Sequence, residues 1–421
     1  MVTRHSIIGA AALLLLTAGA VGAAGLTDKE QLGKDIFFDT DLSLNKNQSC
    51  AACHAPEAGW TGPSDSFNAH GAVYEGSIAG RFGNRKPPSS AYATTAPIFK
   101  YVRQGGGMFV GGNFWDGRAT GEKLGNPAAD QAQGPFLNPL EQALPDSACV
   151  VYRVCEASYG GDMDDLWPGS CDIEWPADVE AVCTMEGGMV ALDSANRTRS
   201  DTAYDYIALA VAAFEGSAES NAFTSKYDAY LAGKSTFTPK ERMGLAVFNG
   251  KGKCARCHVN TGKKPLFTDY TFDNLGVPRN PENPFYTQTA FNPLGAAWVD
   301  LGLGGFLDSR MDYSQYAKTN YGKHKVPTLR NVDMRPSPDF VKAYGHNGYF
   351  KSLKEIVHFY NTRDVLPACA SGSPGEKVTC WPLPEIALNM NTSELGNLGL
   401  TDAEEDALVA FMQTLTDGYG K

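Results

Sequence analysis

Few histidines occur in this 421-residue sequence, and most of it lacks long apolar runs and any excess of positive charge. There are seven histidines, and none lies between residues 71 and 257, which argues against a metal site in that region. The formal net charge of −11 argues against a nucleic-acid partner. After residue 24 no segment is long and apolar enough to cross a membrane. No stretch sustains the two-residue alternation of strands, so a fold made mainly of helices and loops is expected.

The one long apolar segment stands at the start of the chain. Arg4 and His5 precede an apolar run at 7–17, and small residues follow at 20–24. This order is typical of a secretory signal peptide, and the run is short for a bilayer span. The alternative is an uncleaved membrane anchor. We expect residues 1–24 to be removed and the mature protein to be exported to the periplasm.

One five-residue motif, C-x-x-C-H, occurs twice, starting at residues 50 and 254. It is the attachment signature of c-type haem, in which two thiols bond the haem vinyl groups and the next residue offers an imidazole to the iron. A redox C-x-x-C pair does not need the histidine, and a zinc site would need a second pair nearby. We therefore predict two covalently bound c-type haems. The predicted attachment residues and proximal ligands are Cys50, Cys53 and His54 for one haem, and Cys254, Cys257 and His258 for the other.

A capped helix is predicted before each motif. Thr27 and Glu30 have the spacing of a capping box ahead of the first motif, and Thr238 and Glu241 have it ahead of the second. The apolar residues that follow recur at helical spacing in both runs. The repeat predicts two cytochrome c-like domains that descend from one. Further helices are expected at 201–215, which could bridge the domains, at 352–360, and from residue 401 onward as a closing helix.

The six remaining cysteines suggest three disulfides, because an even number is left in an exported chain. Cys369 and Cys380 bracket a loop rich in Gly, Ser and Pro and are expected to pair. The other four lie in an acidic block at 145–200, where three pairings are possible, and we interpret this block as a disulfide-rich insertion. The predicted division is a signal peptide (1–24), an N-terminal haem domain (25–220) and a C-terminal haem domain (221–421).

Four further motifs follow the first haem motif along the chain: Phe114-Trp115-Asp116-Gly117-Arg118, Asn138-Pro139-Leu140-Glu141, Leu329-Arg330-Asn331-Val332 and Gly345-His346-Asn347-Gly348. With the two C-x-x-C-H sites, they make the sequence resemble the bacterial di-haem cytochrome c peroxidase family, which includes the MauG enzyme of methylamine utilisation. The resemblance covers nearly the whole mature chain, except the 145–200 block and the loop between Cys369 and Cys380. It implies that the N-terminal haem reacts with peroxide and that the C-terminal haem stores and passes electrons.

The resemblance also assigns roles to single residues. Glu141 matches a distal glutamate, whose carboxyl group can take a proton from one peroxide oxygen and return it to the other. Trp115 matches a tryptophan that relays electrons between the haems, although core packing would also explain it. His70 matches a loop histidine that caps the peroxide-reacting iron in the resting state, and the alternative is a solvated loop residue. His346 is expected to hydrogen-bond near a haem edge.

The sixth ligand of the second haem decides the subclass. The family peroxidases usually have a methionine on the helix after the H-x-G motif, and counting along this helix leads to Tyr360, as in MauG. A phenolate is a hard anionic donor that should lower the iron potential. The rival ligands are His358, Met334 and Met390.

Family members usually also hold a calcium ion between the domains. Here Lys86 stands at the position of the asparagine ligand, so an ammonium group could occupy the place of the cation. Asn84 could still serve if the alignment shifts by two residues. The resemblance therefore leaves interdomain calcium doubtful.

The function that this resemblance implies is periplasmic reduction of hydrogen peroxide with electrons from a small redox protein, a cytochrome c or a cupredoxin. The first alternative is a MauG-like enzyme that oxidises Trp or Tyr residues of a partner protein, which Tyr360 favours. The second is a non-catalytic di-haem electron-transfer cytochrome, against which Glu141 argues. A homodimer is expected only by analogy with family peroxidases.

Overall fold

Helices make up most of the regular structure in the computed structural model, which describes residues 25–420. The expected fold class, mainly helix and loop, is confirmed. The predicted signal peptide at 1–24 lies outside the described residues. Among the helices of 25–420, none is long and apolar enough to cross a membrane. The α-helices are α1 Asp28–Phe38, α2 Asp65–Ala69, α3 Pro127–Leu137, α4 Ser147–Glu156, α5 Gly160–Leu166, α6 Val179–Cys183, α7 Ser194–Gly216, α8 Lys226–Leu231, α9 Pro239–Asn249, α10 Gly302–Asp308, α11 Leu353–Thr362 and α12 Asp402–Gln413.

The strands are short and form two antiparallel pairs. Strand β1 (Lys100–Val102) pairs with β2 (Met108–Val110), and β3 (Phe272–Asp273) pairs with β4 (His324–Lys325). Neither pair is long enough to form a core of its own. The sheets therefore serve to position loops around the helices.

Both predicted capping boxes are present. The Thr27 hydroxyl accepts a hydrogen bond from the Glu30 backbone N–H at 3.3 Å, and the Glu30 carboxylate accepts one from the Thr27 N–H at 2.8 Å. Thr238 and Glu241 form the same box at the start of α9. These bonds satisfy N–H groups that a helix start leaves free. A 3₁₀ turn then carries each C-x-x-C-H motif.

Each of these two helices is crossed by a later helix, α1 by α7 and α9 by α12. Glycine stands at both crossings, Gly33 facing Ala210 and Gly244 facing Ala407. The two halves of the chain therefore repeat one unit of a capped helix, a haem turn and a crossing helix. The helix expected at 201–215 is the second part of α7. It closes the N-terminal half rather than bridging the halves, because its apolar face packs on α1, α3 and α4.

The cysteine-rich block is part of the core of the N-terminal half. Helix α4 of this block packs on α7, and most of its apolar residues are fully buried. The buried Arg153 donates to the carbonyl oxygens of Asp41 and Ser43, at 2.7 and 2.5 Å. The block therefore packs as a layer of this half, and its interpretation as an insertion stays a prediction. The three disulfides are Cys149–Cys183, Cys155–Cys171 and the predicted Cys369–Cys380.

An aromatic cluster joins the two halves. Phe99 and Phe109 stack with ring centroids 5.2 Å apart, and Tyr101 stacks on Tyr316 at 4.5 Å. The first three residues flank or belong to the β1–β2 hairpin, whereas Tyr316 follows α10. This packing holds the halves together next to the cavity described below.

Candidate active site

One continuous cavity reaches both C-x-x-C-H turns. Its wall combines residues from the N-terminal and the C-terminal half, so it forms only when the halves are packed together. Most of the predicted site residues line it. They are Cys50, Cys53, His54, Trp115, Glu141, Cys254, Cys257, His258, His346 and Tyr360.

The thiols at this cavity have the chemistry that haem attachment requires. The four motif cysteines are free thiols, whereas the other six described cysteines form disulfides. Burial raises the pKa of Cys50 and that of Cys254 to about 12, so both are neutral at pH 7. Pairs of reduced thiols that face a shared cavity fit the two vinyl groups of a c-type haem.

His54 and His258 are oriented as metal-ligating histidines usually are. Nδ1 of His54 donates to the Trp60 carbonyl at 3.2 Å, and Nδ1 of His258 donates to the Phe267 carbonyl at 2.8 Å. The other ring nitrogen, Nε2, therefore keeps its lone pair. Burial lowers the pKa of His54 to about 4 and also lowers that of His258, which keeps both imidazoles neutral. These residues fit two c-type haems.

Glu141 lies near the thiols of the first motif, where its charge acts on Cys53. Its backbone N–H donates to the Asn138 carbonyl at 2.9 Å, which closes the turn that carries the N-P-L-E motif. Burial raises the pKa of Glu141, and the Arg118 guanidinium and the Asn138 side chain partly oppose this. Its carboxyl group therefore keeps a proton at a higher pH than an exposed glutamate does.

Trp115 is held by both halves of the chain. Its indole Nε1–H donates to the Lys86 carbonyl at 2.8 Å, and its own carbonyl accepts from the Lys325 N–H at 2.8 Å. The neighbouring Asp116 forms an ion pair with Arg85 at 2.6 Å. The orientation of the indole is thus set by packing between the halves.

Of the four candidate sixth ligands named above, Tyr360 is the one that lines the described cavity. Helix α11 places it there, and burial raises the pKa of its hydroxyl, with the thiols of the second motif adding to the effect. The rival His358 faces away: its Nδ1 lies 3.0 Å from a carboxylate oxygen of Glu405 and its Nε2 lies 3.1 Å from the Val378 carbonyl. Met334 and Met390 lie outside the described cavity lining.

His70 is not brought to the cavity. It follows α2, its side chain is 70% exposed, and its Nδ1 lies 3.0 Å from the Glu282 carboxylate. Its capping role stays a prediction that requires the loop to move. In this structure His70 is therefore a surface residue beside Glu282.

Two buried lysine side chains lie between the halves, and Lys86 stands at the position of the asparagine calcium ligand of family members. Lys86 donates to the Thr61 hydroxyl and to the Pro87 carbonyl, both at 2.8 Å, and burial lowers its pKa to about 7. Lys342 donates to three carbonyl oxygens at 2.8, 3.0 and 2.8 Å, one from the N-terminal half and two from the C-terminal half, and burial lowers its pKa well below the usual value. Two amines whose pKa values are lowered by burial thus lie between the halves, and interdomain calcium remains doubtful.

Glu215 is a cavity residue that sequence reasoning missed. It is 4% exposed, lines the cavity near Cys50, and burial raises its pKa to about 8. The signal was available, because Glu215 follows Val211 by four residues and so continues the apolar face of α7. Also missed were Asp300, His324 and Glu385, which meet His346 at another part of the cavity wall.

The chain is similar to known proteins along most of its length. Residues 27–236 match the family model described as di-haem cytochrome c peroxidase. The chain is 34% identical to the methylamine utilization protein MauG of Paracoccus denitrificans, over 98% of this chain and 95% of that protein. It is 26% identical to the cytochrome-c peroxidase IdrP2 of Denitromonas iodatirespirans, over 99% of this chain and 92% of that protein. The crystal structure of the diheme peroxidase BthA from Burkholderia thailandensis has a TM-score of 0.71 at 28% identity, and the match covers 92% of this chain and 86% of that chain.

Proposed function

The chain belongs to the di-haem cytochrome c peroxidase family, and from this premise we propose that it reduces hydrogen peroxide with electrons from a small redox protein. As a member, it is an oxidoreductase with two covalently bound c-type haems. One observation carries the peroxide proposal: Glu141, a carboxyl group with a raised pKa, lines the same cavity as His54.

Two sets of residues hold the cofactors in this proposal. When bound, each haem supplies an iron centre that exchanges electrons. Cys50, Cys53 and His54 would hold the peroxide-reacting haem, and Cys254, Cys257 and His258 would hold the electron-transfer haem. Tyr360 would supply a further ligand to the latter.

In this proposal Glu141 transfers a proton between the two peroxide oxygens. Reduction of hydrogen peroxide breaks the O–O bond, consumes two electrons and two protons, and yields two water molecules. The Glu141 carboxylate takes a proton from one peroxide oxygen and returns it to the oxygen that leaves as water. Burial favours the protonated form between these transfers, and Arg118 steadies the carboxylate that is formed in turn.

Trp115 connects the two halves of the site. Its indole is held by the Lys86 carbonyl, and its backbone is held by Lys325. A rigidly held aromatic ring passes electrons more readily than a mobile one. This is because its distances to the electron donor on one side and to the electron acceptor on the other stay constant. Electrons from the redox partner reach the peroxide site by this route.

A second candidate function is MauG-like oxidation of Trp or Tyr residues on a partner protein. Tyr360 favours it, because a phenolate donor stabilises oxidised iron more than a thioether does. The 34% identity to MauG over nearly the full chain also favours it. Here peroxide accepts two electrons that the partner's side chains lose together with their protons.

The compartment follows from the same premise. Covalent haem attachment and three disulfides suit an exported protein, so we place it in the periplasm. A homodimer is the expected assembly by analogy with family peroxidases.

The experiment compares the wild-type holoprotein with Tyr360→Met. Optical and EPR spectra are recorded at rest and after one equivalent of peroxide, and turnover is measured with a reduced small cytochrome c. Peroxide turnover that the variant keeps supports the peroxidase. A wild type that retains two oxidising equivalents for minutes, when the variant does not, supports the protein-oxidising function. Two haems that stay indifferent to peroxide even after partial reduction would overturn both.

A further inference from the structure

Asp300, His324, His346 and Glu385 form a buried cluster in the cavity wall. The exposed fractions of their side chains are 3%, 10%, 8% and 4%. Candidate ligand atoms of the first three all lie within 4.8 Å of one another. Oε2 of Glu385 lies 4.0 Å from Nε2 of His346. Two imidazoles and two carboxylates are a donor set typical of divalent transition metals.

His324 presents a bare lone pair to a carboxylate. Its Nδ1 lies 3.1 Å from the Gly322 carbonyl, which can only accept, so Nδ1 carries the proton of the neutral ring. Nε2 is then an acceptor, and it lies 3.4 Å from Oδ2 of Asp300. Two acceptors that face each other in a buried site repel unless a cation lies between them. Adjacent ligand atoms of a tetrahedral zinc ion are also about 3.4 Å apart.

His346 adds a second unsatisfied nitrogen. Within residues 25–420, Nε2 of His324 and Nε2 of His346 are both buried and lack a hydrogen-bond partner. The two rings stack with centroids 3.6 Å apart and planes within 10°. Protonating either ring would place a charge against the other imidazole. A shared metal ion satisfies both nitrogens as the rings turn out of the stack.

The carboxylates are already oriented. Arg85 donates to both oxygens of Asp300 at 2.7 Å, and the Gly302 N–H donates to Oδ1 at 2.9 Å. Oδ2 retains a lone pair toward His324. Oε1 of Glu385 accepts the Asp300 N–H at 3.3 Å, which leaves Oε2 free to face His346. Hydrogen-bonded carboxylates of this kind are the usual surroundings of a bound metal.

We propose that Asp300, His324, His346 and Glu385 bind one divalent first-row transition-metal ion, apart from the haem irons. The mixed N and O donors favour such an ion over Ca²⁺, which takes six to eight oxygen ligands. The site gives His346 an ion to bind in place of the haem-edge hydrogen bond that the family resemblance implies. It lies beside Arg85, the residue that links Asp300 to Asp116 next to Trp115.

The test measures Zn²⁺ binding by the holoprotein with both haems attached. Chelator-treated wild type is titrated by calorimetry, and the loaded protein is examined by X-ray absorption at the zinc edge, which the haem irons do not contribute to. We expect one Zn²⁺ per chain with two N and two O donors at about 2.0–2.2 Å. His324→Gln and His346→Gln should each weaken binding at least about 100-fold.

His358→Gln is the matched control, because His358 also lies beside a carboxylate but both of its ring nitrogens have partners. It should bind Zn²⁺ like the wild type. Haem content and circular dichroism verify each variant, and the zinc-edge spectrum of the wild type decides the ligand set if a variant misfolds. A holoprotein that binds no Zn²⁺, that takes Ca²⁺ instead, or that keeps its affinity in both histidine variants would overturn the proposal. None of these measurements depends on peroxide turnover, so the proposed function is tested separately.

Discussion

Gly33 of α1 and Ala210 of α7 approach so closely that a β-carbon on Gly33 would lie 1.9 Å from the Ala210 carbonyl oxygen. Gly244 of α9 and the Ala407 carbonyl of α12 repeat this relationship at the same 1.9 Å. The added β-carbon would meet a backbone oxygen in each case, so a change of side-chain rotamer cannot relieve the contact. The two halves thus depend on the same helix crossing.

Replacing either glycine by alanine should therefore separate the helices. We expect Gly33→Ala and Gly244→Ala each to lower the free energy of unfolding by about 3 kcal/mol or more, since overpacking of a tight contact is costly. Chemical denaturation of the holoprotein measures this. Gly161→Ala in α5 is the control: nothing lies within 4 Å of its added β-carbon, and alanine is the better helix former there. Equal stability of all three variants would show that the crossing tolerates a methyl group.

Glu141→Gln should abolish most peroxide turnover. The amide keeps the size of the side chain but cannot take up and return a proton, and general acid–base groups contribute roughly 10²- to 10⁴-fold. Steady-state turnover with a reduced small cytochrome c provides the measurement. Glu122→Gln is the control, because Glu122 is paired with Arg310 at 2.8 Å and lies outside the cavity lining. Undiminished turnover in Glu141→Gln would assign the proton transfers to another group.

Trp115→Phe should slow electron transfer between the halves while both haems stay attached. Phenylalanine is harder to oxidise, and the Lys86 carbonyl loses its donor at 2.8 Å. Stopped-flow reduction of the peroxide site should be at least about tenfold slower, and the lost bond should cost about 1–3 kcal/mol of stability. Trp298→Phe, at a tryptophan that packs on Phe285 away from the cavity, should leave the rate unchanged. A rate independent of residue 115 would make this indole a packing residue only.

Glu215 should make stability depend on pH. Burial raises its pKa to about 8 in the folded protein, above its ordinary value of 4.5. The folded state therefore binds more protons than the unfolded state between these values, so stability is fully present below about pH 4.5 and falls as the pH rises through about 8. The loss is at most about 1.4 kcal/mol per pH unit.

Thermal unfolding of the holoprotein from pH 5 to 9 checks this. Glu215→Gln should remove the decline in midpoint between pH 5 and 8, because glutamine does not titrate. If the unfolding midpoint of the wild type declines between pH 5 and 8 no more than that of Glu215→Gln, the pKa of Glu215 is not raised in the holoprotein. Glu215 would then be in contact with solvent when the haems are bound.

Site residues that lie close together along the chain could be predicted from the sequence, and those that lie far apart could not. The haem motifs hold two thiols and an imidazole within five residues, and the capping boxes span four, so local geometry determined them. The structure was needed to show that Tyr360 lines the cavity and that His358 does not, because α11 turns His358 toward Glu405. Glu215 could have been suspected from its place on the apolar face of α7.

The remaining decisions belonged to tertiary packing. Asp300, His324, His346 and Glu385 meet although up to 85 residues separate them, and no local pattern links a loop, a strand, a turn and a second loop. His70 likewise lies on the surface beside Glu282, although its spacing from His54 matches the capping histidine. The sequence by itself determined which groups the protein carries for haem attachment, and it contains the carboxyl group that we propose for proton transfer. Only the packing of one half against the other decided which of them share a cavity, because those contacts depend on chain segments far apart in sequence.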